Sequence, residues 1–356
     1  MMRLCWPLLA PLVVWAQPPT PSYPNQVAGD LVVRNFKFHS GETLDELRLH
    51  YTTIGKPVRD AAGHVSNAVL ILHGTGGTGE AFLRANFGGE LFGPGQPLDA
   101  ASYFLILPDG IGHGKSSKPS DGLHGRFPHY DYEDMVRAQF RVLEEGLSVD
   151  HLRLVMGTSM GAMHTWVWGY LYPNAMNALM PLASAPVEIA GRNRMFRAMI
   201  IQAIRGDPEW NGGEYAAQPV NGLVAAEYSL WMMTSSPLQL QKVNPTRDKA
   251  DAAVSELRER AKQLDANDML YQFEASGDYN PEPHLGEIRA PLWAVNSADD
   301  EVNPPELGQV ARGIEMLPHG RYILIPTSDE TRGHGTHSEA AVWRQYLVDL
   351  LRLTER

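Results

Sequence analysis

Cysteine is almost absent from this sequence of 356 residues, which contains only Cys5. That residue lies in an apolar N-terminal segment that we expect to be removed, so the mature chain would contain no disulfide and no thiol nucleophile. Thiolate metal sites are excluded for the same reason, and no group of His, Asp and Glu residues has a spacing typical of a metal site. We therefore expect neither a metal nor another cofactor.

Positive charge is also scarce. The chain has 30 Lys and Arg residues against 41 Asp and Glu residues, which gives a net charge of -11 and an isoelectric point near 5.6. Because no basic patch offsets this balance, it argues against nucleic acid or an anionic membrane surface as a partner. The expected partner is a small molecule. The oligomeric state is left open, with a homodimer as one alternative.

Long apolar runs are missing too. The N-terminal apolar run, residues 4–16, is too short for a helix that spans a membrane. It follows Arg3 and ends with small residues, Val14 and Ala16, at the two positions that a signal peptidase reads. The sequence therefore predicts a signal peptide over residues 1–16 and export to the periplasm or the medium. Because only one basic residue precedes the run, an uncleaved apolar tail is the alternative.

Short apolar runs alternate with helical segments along the rest of the chain, a pattern typical of a mostly parallel sheet. Two runs of alternating polarity, 31–38 and 47–51, predict an antiparallel pair of strands. Continuous apolar runs predict strands that are buried on both faces. These runs are residues 68–72, 103–107, 152–156, 178–182, 291–295 and 322–325. The last helix is expected over 338–353.

The predicted elements divide the chain into five parts. A Pro-rich leader follows the signal peptide, and a helical block rich in Met and Trp interrupts the strands. We expect this block to form a cap over the C-terminal ends of the strands. The predicted boundaries are 1–16 for the signal peptide, 17–30 for the leader, 31–185 for the first part of an α/β core, 186–285 for the helical cap and 286–356 for the second part of the core.

Gly157-Thr158-Ser159-Met160-Gly161 lies between a predicted strand and a predicted helix. In that context, the pattern Gly-x-Ser-x-Gly predicts a nucleophile elbow, with the serine at the tip of a sharp turn. Side chains two positions before and after the serine would collide with its strained backbone, so only very small residues fit there. An ordinary Gly-rich turn is the alternative interpretation.

A serine hydroxyl is a poor nucleophile at neutral pH, so Ser159 needs a base, and the base needs an orienting acid. In this architecture, the acid and then the histidine follow the serine on loops after later strands. The loop after residue 295 offers Asp300, with Asp299 as the alternative. The loop after the last strand offers His334, which is flanked by glycines, with His337 as the alternative.

Acyl transfer also requires hydrogen-bond donors for the developing oxyanion. The backbone N–H of Met160, directly after the nucleophile, is one expected donor. The other is expected in the glycine-rich loop after Leu72, at the N–H of Thr75. The same loop, residues 74–79, also matches the dinucleotide-binding pattern G-x-G-x-x-G. Asp99 precedes its strand, however, whereas the acid that binds the ribose should follow one.

Several other residues have a structural interpretation. We expect His113 to shape a loop beside the site and His164 to be a packed helix residue. The large apolar residues of the helical block are expected to form its core, with some of them lining an acyl pocket. They are Met195, Phe196, Met199, Trp210, Trp231, Met232 and Met233.

Nearly the whole mature sequence resembles the homoserine O-acetyltransferase-like branch of the α/β-hydrolases. The resemblance is carried by Gly157–Gly161, Tyr172-Pro173, Phe127-Pro128 and, above all, the cap segment from Asp207 to Tyr215. It implies an α/β-hydrolase fold with a mostly parallel central sheet, helices on both faces and a helical cap. It also implies a triad of Ser159, Asp300 and His334, because the acid of the family stands four residues before a proline, as Asp300 stands before Pro304.

The sequence departs from this branch at three points. Thr158 and Ala162 replace two glycines of the usual elbow. In the cap, the Tyr-Arg-Ser element of the branch has an arginine that holds an amino-acid carboxylate, and a bidentate clamp of that kind contributes a few kcal/mol. The corresponding stretch of this chain is Met233-Thr234-Ser235-Ser236, which lacks the tyrosine and the arginine. An exported enzyme would also not meet acetyl-CoA. We therefore expect the triad to be present and the homoserine site to be absent.

The sequence predicts an exported serine hydrolase that acts on carboxylic esters through an acyl-enzyme intermediate. The substrate is expected to be an ester with a fairly apolar acyl part. The first alternative is an O-acyltransferase that uses an acceptor other than homoserine. More remote alternatives are a dinucleotide-binding oxidoreductase and a non-catalytic binding module on the same scaffold.

Overall fold

The computed structural model describes residues 23–355, so the predicted signal peptide and residues 17–22 lie outside the described part of the chain. The described residues form one eight-stranded sheet in the spatial order β1-β2-β4-β3-β5-β6-β7-β8. Its strands are β1 Val27–Lys37, β2 Thr43–Ile54, β3 Ala68–Leu72, β4 Phe104–Pro108, β5 Leu154–Thr158, β6 Leu179–Leu182, β7 Leu292–Ser297 and β8 Gly320–Ile325.

The sheet is parallel except at one edge. β1 pairs antiparallel with β2, β2 pairs antiparallel with β4, and every later pair is parallel. β3, β4, β5, β6 and β7 are buried at every position. This burial is the reason that their sequences are continuously apolar, because a strand covered by helices on both faces has no solvent side. The predicted mostly parallel sheet is confirmed.

Helices cover both faces of the sheet. The α-helices of the described residues are α1 Gly88–Leu91, α2 Tyr132–Arg141, α3 Met160–Leu171, α4 Gly191–Arg205, α5 Val220–Thr234, α6 Pro237–Val243, α7 Arg247–Ala261, α8 Ala266–Glu274, α9 Gln309–Glu315 and α10 Ala340–Leu353. Trp166 and Trp168 on α3 belong to the core on one face, and Trp343 on α10 belongs to the core on the other. Within residues 23–355, no helix combines the length and the apolar character that crossing a bilayer requires.

The segment between β6 and β7 is helical and contains α4 to α8. It has an apolar cluster of its own, in which Phe196 and Ile200 of α4 pack with Leu223 of α5 and Phe273 of α8. Val302, from the loop after β7, joins this cluster. The helical segment is therefore anchored on the loop that follows β7, where the sequence places the acid.

The N-terminal edge differs from the expectation. β1 begins at Val27, four residues before the strand predicted from the apolar pattern, and Val27 lies opposite Thr53 of β2. Tyr23 is buried and packs edge-on against Phe92, with 5.4 Å between the ring centroids. The described fold therefore includes residues of the predicted leader, 17–30. Backbone pairing extends β1 through residues that are largely exposed, so the apolar pattern did not reveal its start.

Candidate active site

Ser159 occupies a sharp turn between β5 and α3. Its backbone has φ 52° and ψ -113°, which is a left-handed conformation that costs free energy for any residue with a Cβ. A Cβ at Gly157 would lie 2.1 Å from the carbonyl oxygen of Gly161, and a Cβ at Gly161 would lie 2.0 Å from the carbonyl oxygen of Leu72. Both positions therefore require glycine, as the sequence pattern indicated.

His334 and Asp300 lie in line behind the Ser159 hydroxyl. The Nε2 atom of His334 is 2.8 Å from the Ser159 Oγ atom. The Nδ1 atom of His334 is 2.9 Å from Oδ2 and 3.0 Å from Oδ1 of Asp300. Both His334 and Asp300 are buried, whereas Ser159 is half-buried and borders a cavity. The structure thus brings together the three residues that the sequence selected.

Asp300 is held as a carboxylate by its neighbours. Burial raises the pKa of Asp300, but the adjacent His334 and the hydrogen bonds from His334, Asn303 and Val302 outweigh that effect and lower the pKa overall. The Val302 N–H donates at 2.8 Å and the Asn303 side-chain amide at 3.0 Å. An ionised Asp300 fixes the tautomer of His334, because only an Nδ1–H can donate to it.

Asp299, the alternative acid, has different partners. It accepts hydrogen bonds from the Gly333 N–H at 3.0 Å and from the Thr331 hydroxyl at 2.9 Å, both in the loop that carries His334. It also accepts from Ser297 and from Ser236, which lies just before α6. Asp299 therefore ties the His334 loop to the helical segment and does not contact the imidazole of His334.

His337, the alternative base, has its Nδ1 atom 2.9 Å from the Ser338 hydroxyl. Burial lowers the pKa of His337 to about 3, with a further lowering from His334. The rings of His334 and His337 pack edge to face, 5.3 Å apart. His337 is therefore a neutral wall of the cavity, and it makes no hydrogen bond with Ser159.

The two predicted oxyanion donors border the nucleophile. Met160 begins α3, and Thr75 lines the cavity beside Gly74, where a Cβ would lie 3.2 Å from the Cβ of Ser159. Within residues 23–355, neither the Met160 N–H nor the Thr75 N–H donates to a protein acceptor. Their assignment as an oxyanion hole stays a prediction, and the geometry leaves both donors free for a ligand.

His73, which the sequence analysis did not single out, sets the shape of this loop. The Gly110 N–H donates to its Nε2 atom at 2.9 Å, so Nδ1 carries the proton and donates to the Gly74 carbonyl at 2.8 Å. Burial lowers the pKa of His73 and keeps it neutral. Since both partners lie on loops that follow strands, only the folded topology reveals the role of this histidine.

The glycine-rich loop is not built like a dinucleotide site. Gly79, the last glycine of the pattern, opens a five-residue 3₁₀ helix, Gly79–Leu83, and its N–H donates to Asp109 at 2.8 Å. Glu80 forms an ion pair with Lys115. A dinucleotide site uses a free helix N-terminus for the pyrophosphate. Here an acid occupies that N–H and a second acid follows it.

A cavity of about 350 Å³ opens at Ser159 and His334. Its apolar wall comes from both the core and the helical segment and includes Phe82, Phe87, Phe196, Leu230, Phe273 and Val302. Of the apolar residues that the sequence offered for an acyl pocket, only Phe196 lines it. Met195, Met199 and Met232 are exposed on the surface of the helical segment.

Arg197 also lines this cavity and was missed by the sequence analysis. It lies in the middle of α4, next to Phe196, and is buried. An arginine in an amphipathic helix is normally a solvated residue, so the sequence carries no signal for its burial. The one indirect hint is that its neighbours in the helix, Phe196 and Ile200, are apolar.

His113 and His164, which the sequence assigns to packing, are both buried. His113 is buried and donates from Nδ1 to the Ile111 carbonyl at 2.9 Å. His164 accepts a hydrogen bond at Nδ1 from the Gln139 amide at 3.2 Å, and burial lowers its pKa to about 3. Both environments agree with the packing roles that the sequence indicated.

One group of side chains on the surface has the spacing of metal ligands. Ligand atoms of His39, Asp131 and Asp278 lie within 4.8 Å of one another, with His39 and Asp278 exposed. His39 already forms an ion pair with Asp131 at 2.7 Å. None of the three lines the cavity at Ser159.

Comparisons with known proteins agree with this architecture. The family described as alpha/beta hydrolase fold matches residues 67–331. A homoserine O-acetyltransferase of Moorella thermoacetica is 36% identical over 366 aligned positions, which cover 87% of this chain and 93% of that protein. A probable acyltransferase of Methanothermobacter thermautotrophicus is 27% identical over 320 residues, covering 90% of this chain and 96% of the relative.

The fold is also found among solved structures. An acetylester hydrolase from Corynebacterium glutamicum superposes with a TM-score of 0.80 and covers 92% of this chain, with 96% of its own chain covered. The sequence identity in that pair is 21%. At that identity, the likeness establishes the shared fold and leaves the chemistry to be argued from the site.

Proposed function

The chain belongs to the α/β-hydrolase fold family, in its homoserine O-acetyltransferase-like branch, and on that premise we propose that it is a serine esterase working through an acyl-enzyme on Ser159. The observation that carries this proposal is the hydrogen-bonded chain from Ser159 Oγ through His334 to Asp300. It opens on a cavity with an apolar wall. The enzymes related to this chain by sequence and by fold include esterases and acyltransferases.

In the first half-reaction, His334 Nε2 takes the hydroxyl proton of Ser159 as Oγ attacks the ester carbonyl carbon. The negative charge that develops on the carbonyl oxygen is stabilised by the N–H groups of Met160 and Thr75. The C–O bond to the alcohol then breaks, and His334 gives its proton to the departing alkoxide. The products of this step are a free alcohol and an acyl ester on Ser159.

In the second half-reaction, a water molecule takes the place of the alcohol. His334 removes one proton from the water as its oxygen attacks the acyl carbon, and it returns that proton to Ser159 Oγ as the acyl ester breaks. The carboxylic acid leaves and the free serine is restored. Asp300 stabilises the imidazolium of His334 in both halves of the reaction without accepting a proton, because its own pKa is lowered.

An acyltransferase is the second candidate, favoured by one specific observation. A second cavity of about 480 Å³ meets the first at Thr75, Leu230 and Phe273. Its wall combines apolar residues with polar and charged ones, which include Lys118 and Asp268. Because an alcohol or amine acceptor needs such polar groups for orientation, this cavity could present an acceptor to the acyl-enzyme in place of water.

The experiment that separates these functions uses an acetyl ester with and without acceptors. We expect purified mature protein to release acetate at the same rate whether or not homoserine, simple alcohols or simple amines are present. Ser159→Ala should lose at least about 10³-fold in kcat/KM. Ser229→Ala on α5 is the matched control and should keep full activity, because the Ser229 hydroxyl donates to the Ala225 carbonyl of its own helix. Accumulation of an acetylated acceptor would instead establish the transferase.

Export is part of the proposal and rests on the sequence of residues 1–16. We expect the chain, expressed with its own N-terminus, to be recovered from the periplasm or the medium, with Gln17 as the first residue. N-terminal peptide mass spectrometry of the recovered protein measures this directly. Recovery of the intact chain from the cytoplasm, with residues 1–16 still attached, would contradict export without affecting the proposed chemistry.

A further inference from the structure

Arg197 is a buried cation without an acidic partner. Its side chain lies on α4, borders the cavity at Ser159 and His334, and is 3% exposed. Its Nε atom donates to the Asn193 side-chain carbonyl at 2.9 Å, and Nη1 donates to the Ser276 hydroxyl at 3.0 Å. Both acceptors are uncharged. Among residues 23–355, no Asp or Glu oxygen lies within 4.0 Å of its guanidinium nitrogens.

Other arginines of the structure have a negatively charged partner or a helix C-terminus, and Arg197 has neither. Arg137 pairs with the buried Asp134, and Arg260 pairs with the buried Glu227. Arg153 is buried like Arg197, but it donates to the Leu351 carbonyl at the end of α10, where the helix dipole supplies negative charge. Burying a charge without such a partner is costly. A partner absent from the protein itself is therefore expected for Arg197.

The guanidinium has donors left for that partner. Of its five N–H groups, two are used by Asn193 and Ser276. Nη2 donates to none of the described residues. It also retains some contact with solvent, since it is not one of the fully buried atoms that lack a hydrogen-bond partner. The faces of Phe196 and Phe273 flank the group at 5.4 and 5.7 Å and hold its plane in place. A planar fork with free N–H groups matches a carboxylate.

The charge of the cavity points the same way. The protein carries a net charge of -11, yet among residues 23–355 no Asp or Glu lines this cavity. Arg84, which is exposed, also borders the cavity. Asp300 lies behind His334 and is paired with it. A negatively charged ligand therefore meets only positive or neutral groups in this cavity.

We propose that Arg197 binds a carboxylate of the substrate, so that the enzyme prefers esters bearing a free carboxylate over neutral esters of the same shape. This inference rests on the proposed function, since it assigns the substrate class of the same cavity. The carboxylate can be part of the acyl group, as in a half-ester of a dicarboxylic acid, or part of the alcohol, as in an acylated hydroxy acid. Both sources present the same chemistry to Arg197.

Two matched pairs of esters test the proposal and distinguish the sources. The acyl-side pair is monoethyl adipate and the ethyl ester in which an isopropyl group replaces its free carboxylate. The alcohol-side pair is the acetate ester of gamma-hydroxybutyrate and the acetate in which an isopropyl group replaces that carboxylate. The two esters of each pair have nearly the same shape and differ in charge. Loss of each ester is followed by NMR for the wild type and for three variants, Arg197→Met, Arg197→Lys and Arg194→Met.

For at least one pair, we expect the wild type to favour the carboxylate ester in kcat/KM. Arg197→Met should reduce that preference by about 10- to 100-fold, as expected for the loss of a hydrogen-bonded charge. Arg197→Lys should retain part of it. Arg194, one turn earlier on α4, is exposed, and Arg194→Met should leave the preference unchanged. Because the preference is a ratio measured on one protein sample, partial unfolding of a variant does not alter it.

The proposal is overturned if the wild type hydrolyses the neutral esters and does not favour either carboxylate ester, or if Arg197→Met keeps the wild-type preference. Calorimetric binding of monoethyl adipate to Ser159→Ala gives a second readout that needs no turnover. We expect binding that Arg197→Met abolishes on the Ser159→Ala background. If no ester is hydrolysed by the wild type, the proposed function fails, and this binding measurement still decides the inference: binding lost with Arg197 supports it, and no binding overturns it.

Discussion

Asp299 and Asp300 are neighbours in the sequence and have separate tasks in the structure. Asp300 faces the imidazole of His334, while Asp299 faces the Gly333 N–H and the Thr331 hydroxyl in the loop that carries it. One residue holds the base in its tautomer, and the other holds the loop in its position. The two tasks differ in whether they need a negative charge. An amide at position 299 can keep part of the hydrogen-bond network, whereas an amide at position 300 cannot stabilise the imidazolium of His334.

Replacing each acid by its amide separates these two tasks. Asp300→Asn should reduce kcat by about 10⁴-fold with little change in KM, because the imidazole loses its tautomer and the stabilising charge. Asp299→Asn should reduce kcat by roughly 10-fold, since it weakens the network that holds the loop. Steady-state kinetics with an acetyl ester measure both effects. Equal losses in the two variants would contradict the assignment of Asp300 as the triad acid.

Sequence reasoning reached Ser159, His334 and Asp300 because each stands in a loop that follows a strand. The order along the chain narrows the acid to two adjacent residues, but the rotation of the backbone after β7 decides which of them meets His334. Arg197 could not be found in the same way. Its burial depends on how α4 packs on α8, and a helix pattern does not report which neighbour covers a charged residue.

At the scale of single elements, α3 carries the elbow on its first turn and a buried histidine on its next. His164 contacts Gln139 of α2 through Nδ1, and its Nε2 atom has no hydrogen-bond partner among the described residues. Burial lowers the pKa of His164 to about 3, with a smaller contribution from the nearby His73. Since α2 and α3 pack together through this contact, protonation of His164 would place a charge between them.

The stability of the protein should therefore depend on pH. In the unfolded chain, a histidine binds a proton below about pH 6.5, whereas in the folded protein His164 stays neutral down to about pH 3. The free energy of unfolding should consequently fall as the pH drops below about 6.5, by up to about 1.4 kcal/mol per pH unit for this residue. His164→Asn should reduce that slope, because an amide accepts the Gln139 hydrogen bond and does not titrate.

Urea unfolding at several pH values measures this slope for the wild type, for His164→Asn and for the control variant Ser229→Ala. Ser229 has no titratable side chain, so its replacement should leave the slope unchanged. An identical slope in the wild type and His164→Asn would show that His164 does not contribute to the acid sensitivity.

The bounds of a strand were easier to predict from the sequence when the strand is more fully buried. β3 and β7 are buried at every position, and their continuous apolar runs identify them to within two residues. β1 is largely exposed and is held by backbone pairing with β2, so its first four residues do not follow the alternating apolar pattern of a half-buried strand. The individual helices of the segment between β6 and β7 were not resolved from sequence, because their apolar residues pack within that segment and on Val302 of the core.

At the scale of the whole molecule, the helical segment and the core each supply part of one site. The core provides Ser159, His334 and Asp300 at the carboxyl ends of its parallel strands, where ligands bind in open α/β sheets. The helical segment provides Phe196, Arg197 and other walls of the cavity. In the function that we propose, the core carries the chemistry and the helical segment carries the selectivity for the substrate.

The central claim is that an acyl group passes through Ser159, and rapid-quench intact-mass spectrometry tests it most directly. Mature protein is mixed with p-nitrophenyl acetate, stopped in acid at increasing times and weighed, and the adduct is then located by peptide mapping. We predict a burst of p-nitrophenol, a transient gain of one acetyl group on the peptide containing Ser159, and no gain with Ser159→Ala. Full-rate turnover by Ser159→Ala, or turnover of the wild type with no acetylated Ser159 at any time, would contradict it.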